Sequence, residues 1–325
     1  MRLPISRSER ITKLLIAFLL VPSSLFAQAW LSPKGEGTVS LGYQHSYARY
    51  HVFSKGERVD SGHIQSHGLN LDVDYSLADR LALTIGLPYI TGKYSGSIPH
   101  QLPIDGGTYH GTFQDFRIDL RYNISNRPVV ITPFFEAIIP SHNYEYFAHS
   151  AVGRDLHEYH VGANLGRRLD PVLSNAYFQV RHSYVFVERT LGVAPNRSDT
   201  EFQFGYFLTP RVSLLGLGSW HLTHSGIDYT YKVFPADLTA QQFLHHDQIG
   251  KSNILDVGGG AAFSLSPSLY VSASVMHSLR VRNGHAHAAV VAVGLSWSFR
   301  TRFASPMASS GTQQRESAAA VESGH

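Results

Sequence analysis

Ala288-Ala-Val-Val-Ala-Val-Gly-Leu-Ser-Trp-Ser-Phe-Arg300 is the stretch that decides the fold. Read at every second residue, Ala289, Val291, Val293, Leu295, Trp297 and Phe299 make one unbroken apolar face. The alternate positions, Ala288, Val290, Ala292, Gly294, Ser296 and Ser298, are mostly small. A period of two belongs to an extended strand, because successive side chains leave it on opposite sides. Other segments repeat the pattern with charge on the second face. Phe116, Ile118, Leu120 and Tyr122 alternate with Asp115, Arg117, Asp119 and Arg121. Leu69, Leu71, Val73, Tyr75 and Leu77 alternate with Asn70, Asp72 and Asp74. A soluble sandwich would bury the apolar set. A membrane barrel puts that set in lipid and turns the polar set into the lumen.

The connections point the same way. About twelve strands can be drawn, from Gly35–His51 and His63–Leu77 through Gly111–Ile124 to Ala288–Arg300. Tight turns at Ala78-Asp79-Arg80, Ser125-Asn126-Arg127-Pro128, Asp170-Pro171, Thr209-Pro210-Arg211 and Ser266-Pro267-Ser268 alternate with longer, His- and Gly-rich segments. Short turns at one end and long loops at the other mark an all-β, transmembrane, antiparallel up-and-down β-barrel. The expected domains are a signal peptide over 1–29, an outer-membrane barrel over 30–300 and a disordered periplasmic tail over 301–325. An even strand number puts both barrel termini at the periplasmic end.

The address is read from the N-terminus. Arg2, Arg7, Arg10 and Lys13 precede the apolar run Leu14 to Val21, and Ala27-Gln28-Ala29 is a small-residue cleavage site. That run is too short to cross a bilayer as a helix, and no later segment is long and apolar enough. A mean hydropathy of −0.11 agrees with a barrel, in which only alternate strand residues face lipid. The chain has no cysteine, although disulfides are available in the compartment its signal implies. A closed barrel needs none, because its backbone groups pair with each other. The pI near 9.0 is raised by the basic signal peptide, and no basic patch interleaved with aromatics argues for nucleic acid.

Ser76-Leu-Ala-Asp-Arg-Leu-Ala-Leu-Thr-Ile-Gly-Leu-Pro-Tyr89 and Gly111-Thr-Phe-Gln-Asp-Phe-Arg-Ile-Asp-Leu-Arg-Tyr122 resemble the outer-membrane barrel family named for a role in meta-pathway phenol degradation. The last strand, ending in Trp297 and Phe299, is similar to the assembly signal of outer-membrane barrels, which those proteins commonly carry at the very C-terminus. Here about two dozen residues follow it. The family resemblance implies a barrel that takes up small aromatic or hydrophobic compounds. Its motifs mark turns and barrel faces, and no site residues carry over.

Four constellations could carry chemistry. The expected lumen gathers Asp72, Asp74, Asp115, Arg117, Asp119, Arg121, Glu136, Glu158, His160 and Arg181, while the strands after residue 250 offer Gly258, Gly260, Ala262, Ser272, Ser274, Ala292 and Gly294. One wall is charged and the other is small. The charges either line a polar conduit or fill and stabilise a narrow barrel. Ion pairing of Arg117 and Arg121 is expected in both cases, since unpaired charge there is costly. Histidines crowd the expected outer loops, with His221-x-x-His224, His245-His246-Asp247 and His285-x-His287 as candidate ligand sets. Imidazole suits zinc, copper or nickel, but none of these spacings is a defined metal motif. The expectation is therefore a solvated polar rim with no metal and no cofactor.

The dipeptides His182-Ser183 and His224-Ser225 bring the residue types of acyl chemistry together. Adjacent strand residues face opposite ways, so neither pair can make its own nucleophile–base contact. Finally, Thr223–Asn253 is the longest loop. Asp237 would cap a short helix within it, and Phe234 and Phe243 would turn toward the barrel axis and narrow the mouth. His221, His224, His245 and His246 flank that mouth. The resulting expectation is a passive channel or uptake protein with no enzymatic role. It would be inserted by the barrel-assembly machinery among outer-membrane lipid and lipopolysaccharide. The alternative is a non-conducting barrel with a lipid-hydrolase or surface-binding role.

Overall fold

The computed structural model describes residues 29–231 and 237–301. Residues 1–28 of the expected signal peptide, Phe234, and the expected tail beyond Thr301 lie outside the described residues. The strands are β1 (Glu36–Val52), β2 (Arg58–Ala78), β3 (Leu81–Ser95), β4 (His110–Phe113), β5 (Asp115–Tyr122), β6 (Val130–Pro140) and β7 (Glu158–Arg168). They continue with β8 (Ala176–Val187), β9 (Arg197–Thr209), β10 (Val212–Thr223), β11 (Asn253–Ser266), β12 (Leu269–Arg282) and β13 (Gly284–Arg300). Both β4 and β5 pair with β3, and they meet at Gln114, whose amide bonds the Pro88 carbonyl at 2.9 Å. They are two parts of one crossing, so the wall has twelve crossings, each antiparallel to its sequence neighbours. The sheet closes where Glu36 pairs with Arg300 and Val52 with Gly284. Closure leaves no free sheet edge, as a bilayer requires.

The barrel is apolar outside and polar inside. Leu69, Leu71, Ile85, Phe116, Leu120, Phe135, Val161, Phe178, Leu214, Val275 and Trp297 all stand exposed around the outer wall. Among the largest side chains that are almost fully buried are Arg121, Gln203 and Asn164. A water-soluble fold shows the reverse order, since arginine and glutamine are seldom fully buried there. This belt is what lipid, rather than water, would cover.

Two connections differ from the expected long loops. The first spans only 53–57, and the last is Asn283 alone. β2 starts at Arg58 rather than His63, and β13 starts at Gly284 rather than Ala288, because both segments continue to pair with β1. Asn283 has φ +48° in the left-handed region, which asparagine tolerates better than most residues. His285 and His287 are therefore strand residues and not loop ligands. β12 and β13 pair from Leu269↔Trp297 to Met276↔Val290. Nearer the loop end, the Ser278 hydroxyl takes the His287 amide at 2.9 Å.

Candidate functional site: the lumen and its lid

Pairing fixes which side chains share the interior. In register across β5, β6, β7 and β8 lie Asp119↔Glu136, Glu136↔His160 and Asn164↔Arg181. Asp72 pairs with Gly86, which in turn pairs with Arg117. All ten lumen candidates lie on the inner wall, and arginines join most of them. Arg117 bonds Asp72 at 2.6 Å and lies 3.8 Å from Glu136. Arg181 reaches Asp119 and Glu136, both at 3.0 Å, and stacks over the Phe134 ring at 3.5 Å. Arg121 contacts Asp74 and donates to the Thr84 hydroxyl at 2.8 Å. Nearer the loops, Glu158 holds Arg154 and Arg197, and Arg197 reaches Asp199 at 2.9 Å. His160 sits 3.7 Å from both Glu136 and Glu158. Asp115 accepts from the Tyr144 hydroxyl at 2.5 Å.

Arg197 and Asp199 had no place in the sequence-based set, because the inward face of β9 begins before Thr200, where alternation alone starts that strand, and Arg154 had none because it lies in the loop before β7. Glu201 also faces inward, opposite Arg181, and is exposed although it lies inside the wall. It makes no ion pair among the described residues.

The opposite sector is apolar. Leu215, Leu217 and Met276 form a buried cluster with Ala262 and Val290 packed against it. In β10, Leu215 and Leu217 share the inward face with Ser213, Ser219 and His221, so that face is only partly polar. The small residues expected on β11 to β13 do line this wall, with Gly258, Gly260 and Ala262 opposite Met276, Ser274 and Ser272.

Two cavities lie in series. One of about 390 Å³ is lined by Asp72, Pro88, Arg117, Ile138 and His160 among others. The other, of about 400 Å³ toward the loops, is lined by His51, Tyr229, His246, Asp247 and His285 among others. They share Gln114, Asp115, Glu158 and Arg197. At the tight-turn end, Ala29 is fully buried. Its amide meets Gln179 at 3.3 Å and its carbonyl accepts from Thr132 at 2.7 Å. Trp30 packs edge-on against Tyr177.

The long loop closes the other end as a folded lid. It carries α1 (Ala240–Leu244) and α2 (His246–Ile249). The cap of α1 is Thr239 and not Asp237: Thr239 and Gln242 form a reciprocal capping box. The sequence signal was Thr-x-x-Gln at the helix start. Ile249, Gln248, His246 and Tyr229 are buried. Gln248 donates to the Arg154 carbonyl at 2.6 Å, Ser54 to the Tyr229 carbonyl at 2.9 Å, and Asn283 to Asp228 at 3.2 Å. Phe243 packs against Phe147, His100 and His246. His245 lies over Tyr146. His221 turns inward to Asp199 at 3.0 Å. His224 is a correction to the expected mouth set: it bonds Ser198 at 2.7 Å and stacks on Tyr184 of the outer wall, because it lies on the opposite face from His221.

Asp105 ties two loops under this lid. Its carboxylate accepts from the amides of His100, His149 and Ser150 and from the Ser150 hydroxyl, at 2.8 to 3.2 Å. Burial alone would raise its pKa, but these donors outweigh burial and hold it below the usual carboxylate range. His100 and His149 stack at 3.7 Å. Burial, with His149 and His246 alongside, pushes His100 down to about 3. Burial also lowers His149.

Ser183 bonds His160 across β7 and β8 at 3.4 Å rather than its neighbour His182, and its side chain is buried. Ser225 donates to the Ala194 carbonyl at 2.5 Å.

No family model matches the sequence, and no curated protein is similar to it. Among solved structures, the chain is similar to an outer-membrane channel from Pseudomonas putida F1. The identity is 14%, over 84% of this chain and 98% of that one, with a TM-score of 0.65. The NanC porin follows at 10% identity, 80% and 98% coverage, and a TM-score of 0.48. The translocator domain of the autotransporter NalP from Neisseria meningitidis aligns at 11% identity, 90% and 94% coverage, and 0.48. The first likeness is one of fold: the chain has the architecture of an outer-membrane channel barrel.

Proposed function

We propose that this barrel lies in the outer membrane with its lid outside, and that it admits small solutes with an apolar, aromatic-sized body and a polar group. One observation carries the reading. The two cavities in series are lined by charged groups, Asp72, Arg117, Glu158 and Arg197, together with apolar and aromatic ones, Pro88, Ile138, Leu156, Tyr229 and Ile254. A pore for sugars or ions has little use for Pro88, Ile138, Leu156 and Ile254 in the lining of its cavities. A barrel filled only for stability would leave no such cavities along its lumen. Ligand sites typically combine apolar walls with a few placed polar groups. The resemblance to the phenol-pathway barrels supports an aromatic solute. Outer-membrane lipid and lipopolysaccharide would cover the apolar belt, and the Trp297–Phe299 strand would be handed over by the barrel-assembly machinery.

The test is solute entry into liposomes holding the purified protein. Benzoate-sized aromatics should enter faster than a disaccharide of equal concentration. Equal rates for both, or none above protein-free liposomes, would remove the reading.

A further inference from the structure

We infer that His100, His246 and Asp247 form a binding site for one divalent transition-metal ion of the zinc class, placed where the lid meets the loop between β3 and β4. The potential ligand atoms of these three residues lie within 4.8 Å of one another. Tetrahedral zinc, with ligands at roughly 2.0–2.2 Å, holds them about 3.3–3.5 Å apart, so the set needs to close by about an ångström. Asp247 can supply that movement, because its side chain is 44% exposed while His246 is held at 5%.

The hydrogen bonds point the right atoms at the gap. His246 Nδ1 lies 2.7 Å from the Phe243 carbonyl, which can only accept, so Nδ1 carries the proton. In the neutral ring, Nε2 then presents its lone pair, 3.3 Å from Asp247 Oδ1. Two acceptors face each other there, an arrangement that a cation resolves. An imidazole whose other nitrogen donates to a backbone carbonyl is the usual support of a metal-bound histidine. His100 Nδ1 is buried with no hydrogen-bond partner among the described residues. Behind it, His149 donates Nε2–H to the Ile98 carbonyl at 3.0 Å, so its buried Nδ1 also keeps an unused lone pair. A buried acceptor without a partner is costly, and a metal held by His100 would remove that cost for its Nδ1.

Two imidazoles and a carboxylate, with room for water from the adjoining cavity, suit zinc and its late first-row neighbours rather than calcium or magnesium. Sequence spacing could not show the set. His245-His246-Asp247 reads as a local run, but His245 turns away to Gln248 and the second imidazole comes from 146 positions earlier. A bound ion would pin the lid to the β3–β4 loop. The site does not depend on whether the barrel conducts.

The test uses full-length protein refolded in detergent micelles and titrated with zinc chloride by calorimetry, with thermal unfolding in parallel. The wild type should take one zinc per chain and unfold at a higher temperature with it. Asp247→Asn and His100→Gln should each weaken binding at least about tenfold. His224→Gln, on the outer wall, should leave it unchanged. Asp247→Asn alters an exposed side chain, so it keeps the test decisive if His100→Gln fails to fold. No zinc uptake by the wild type, or equal affinity in Asp247→Asn, would overturn the inference.

Discussion

Arg181→Met is the sharpest perturbation of the lumen. Arg181 bridges Asp119 and Glu136 at 3.0 Å each, and those carboxylates are only 6% and 7% exposed. At an effective dielectric near 20, each contact is worth about 5 kcal/mol before desolvation. Breaking a buried pair while leaving its partner charged costs about 3–5 kcal/mol net. The loss should sit near the upper end, because the Phe134 stacking goes too. Residual support comes from Arg117, 3.8 Å from Glu136, and Arg121, 3.9 Å from Asp119. Urea unfolding of the vesicle-inserted barrel, read by fluorescence of Trp30, Trp220 and Trp297, measures the change as a lower midpoint at constant slope. Glu136→Gln in the same chain should restore about half of the loss, since it removes one stranded charge. A loss below about 1 kcal/mol, or no restoration, would refute the reasoning that this network is desolvated and paired.

Thr239→Ala removes the capping box of a five-residue helix and should cost about 0.5–2 kcal/mol locally, seen as faster proteolysis within the lid while the barrel stays folded. Asp105 has a lowered folded pKa, so the loop tie it makes is fully present above its ordinary value near 4 and is lost as pH falls through the folded value. Protease protection of the 96–109 and 141–157 loops should therefore persist at pH 5 and vanish in stronger acid, whereas Asp105→Asn should weaken it at neutral pH. Glu201→Gln removes an unpaired lumen charge, and the reversal potential across a salt gradient should shift toward anions. An epitope placed after Gly192, where a side chain would meet nothing within 4 Å, should be reachable on intact cells, and one in the Asp170-Pro171 turn should not.

The wall was legible because each strand states its own face. Asp115 to Tyr122 alternates charge with bulk apolar residues, and only a barrel in lipid satisfies both sets. The boundaries moved by a few residues, mainly where β2 and β13 extend to pair with β1. Partner choice inside the lumen was not legible. Arg117 meets Asp72 across Gly86 of β3, which has no side chain to separate them, and the register that lines up three strands is not written in any one of them. The buried apolar cluster escaped notice because Leu215 and Leu217 sit among Ser213, Ser219 and His221 on a mixed inward face and meet Met276 only through pairing. The lid's contacts join residues from loops far apart in sequence. His100, His149 and His246 meet only after the barrel brings their strands into one ring.

The proposed uptake requires the two cavities to open through the lid at one end and past the buried Ala29 at the other. Single-channel conductance in planar bilayers, wild type against a chain lacking residues 228–244, tests it most directly. A small, steady conductance is expected in the wild type and a several-fold larger one after the deletion, because the segment carries Tyr229 and Phe243 from the outer cavity and its cover. Absence of current in both proteins would contradict it, as would equal conductance with and without the lid.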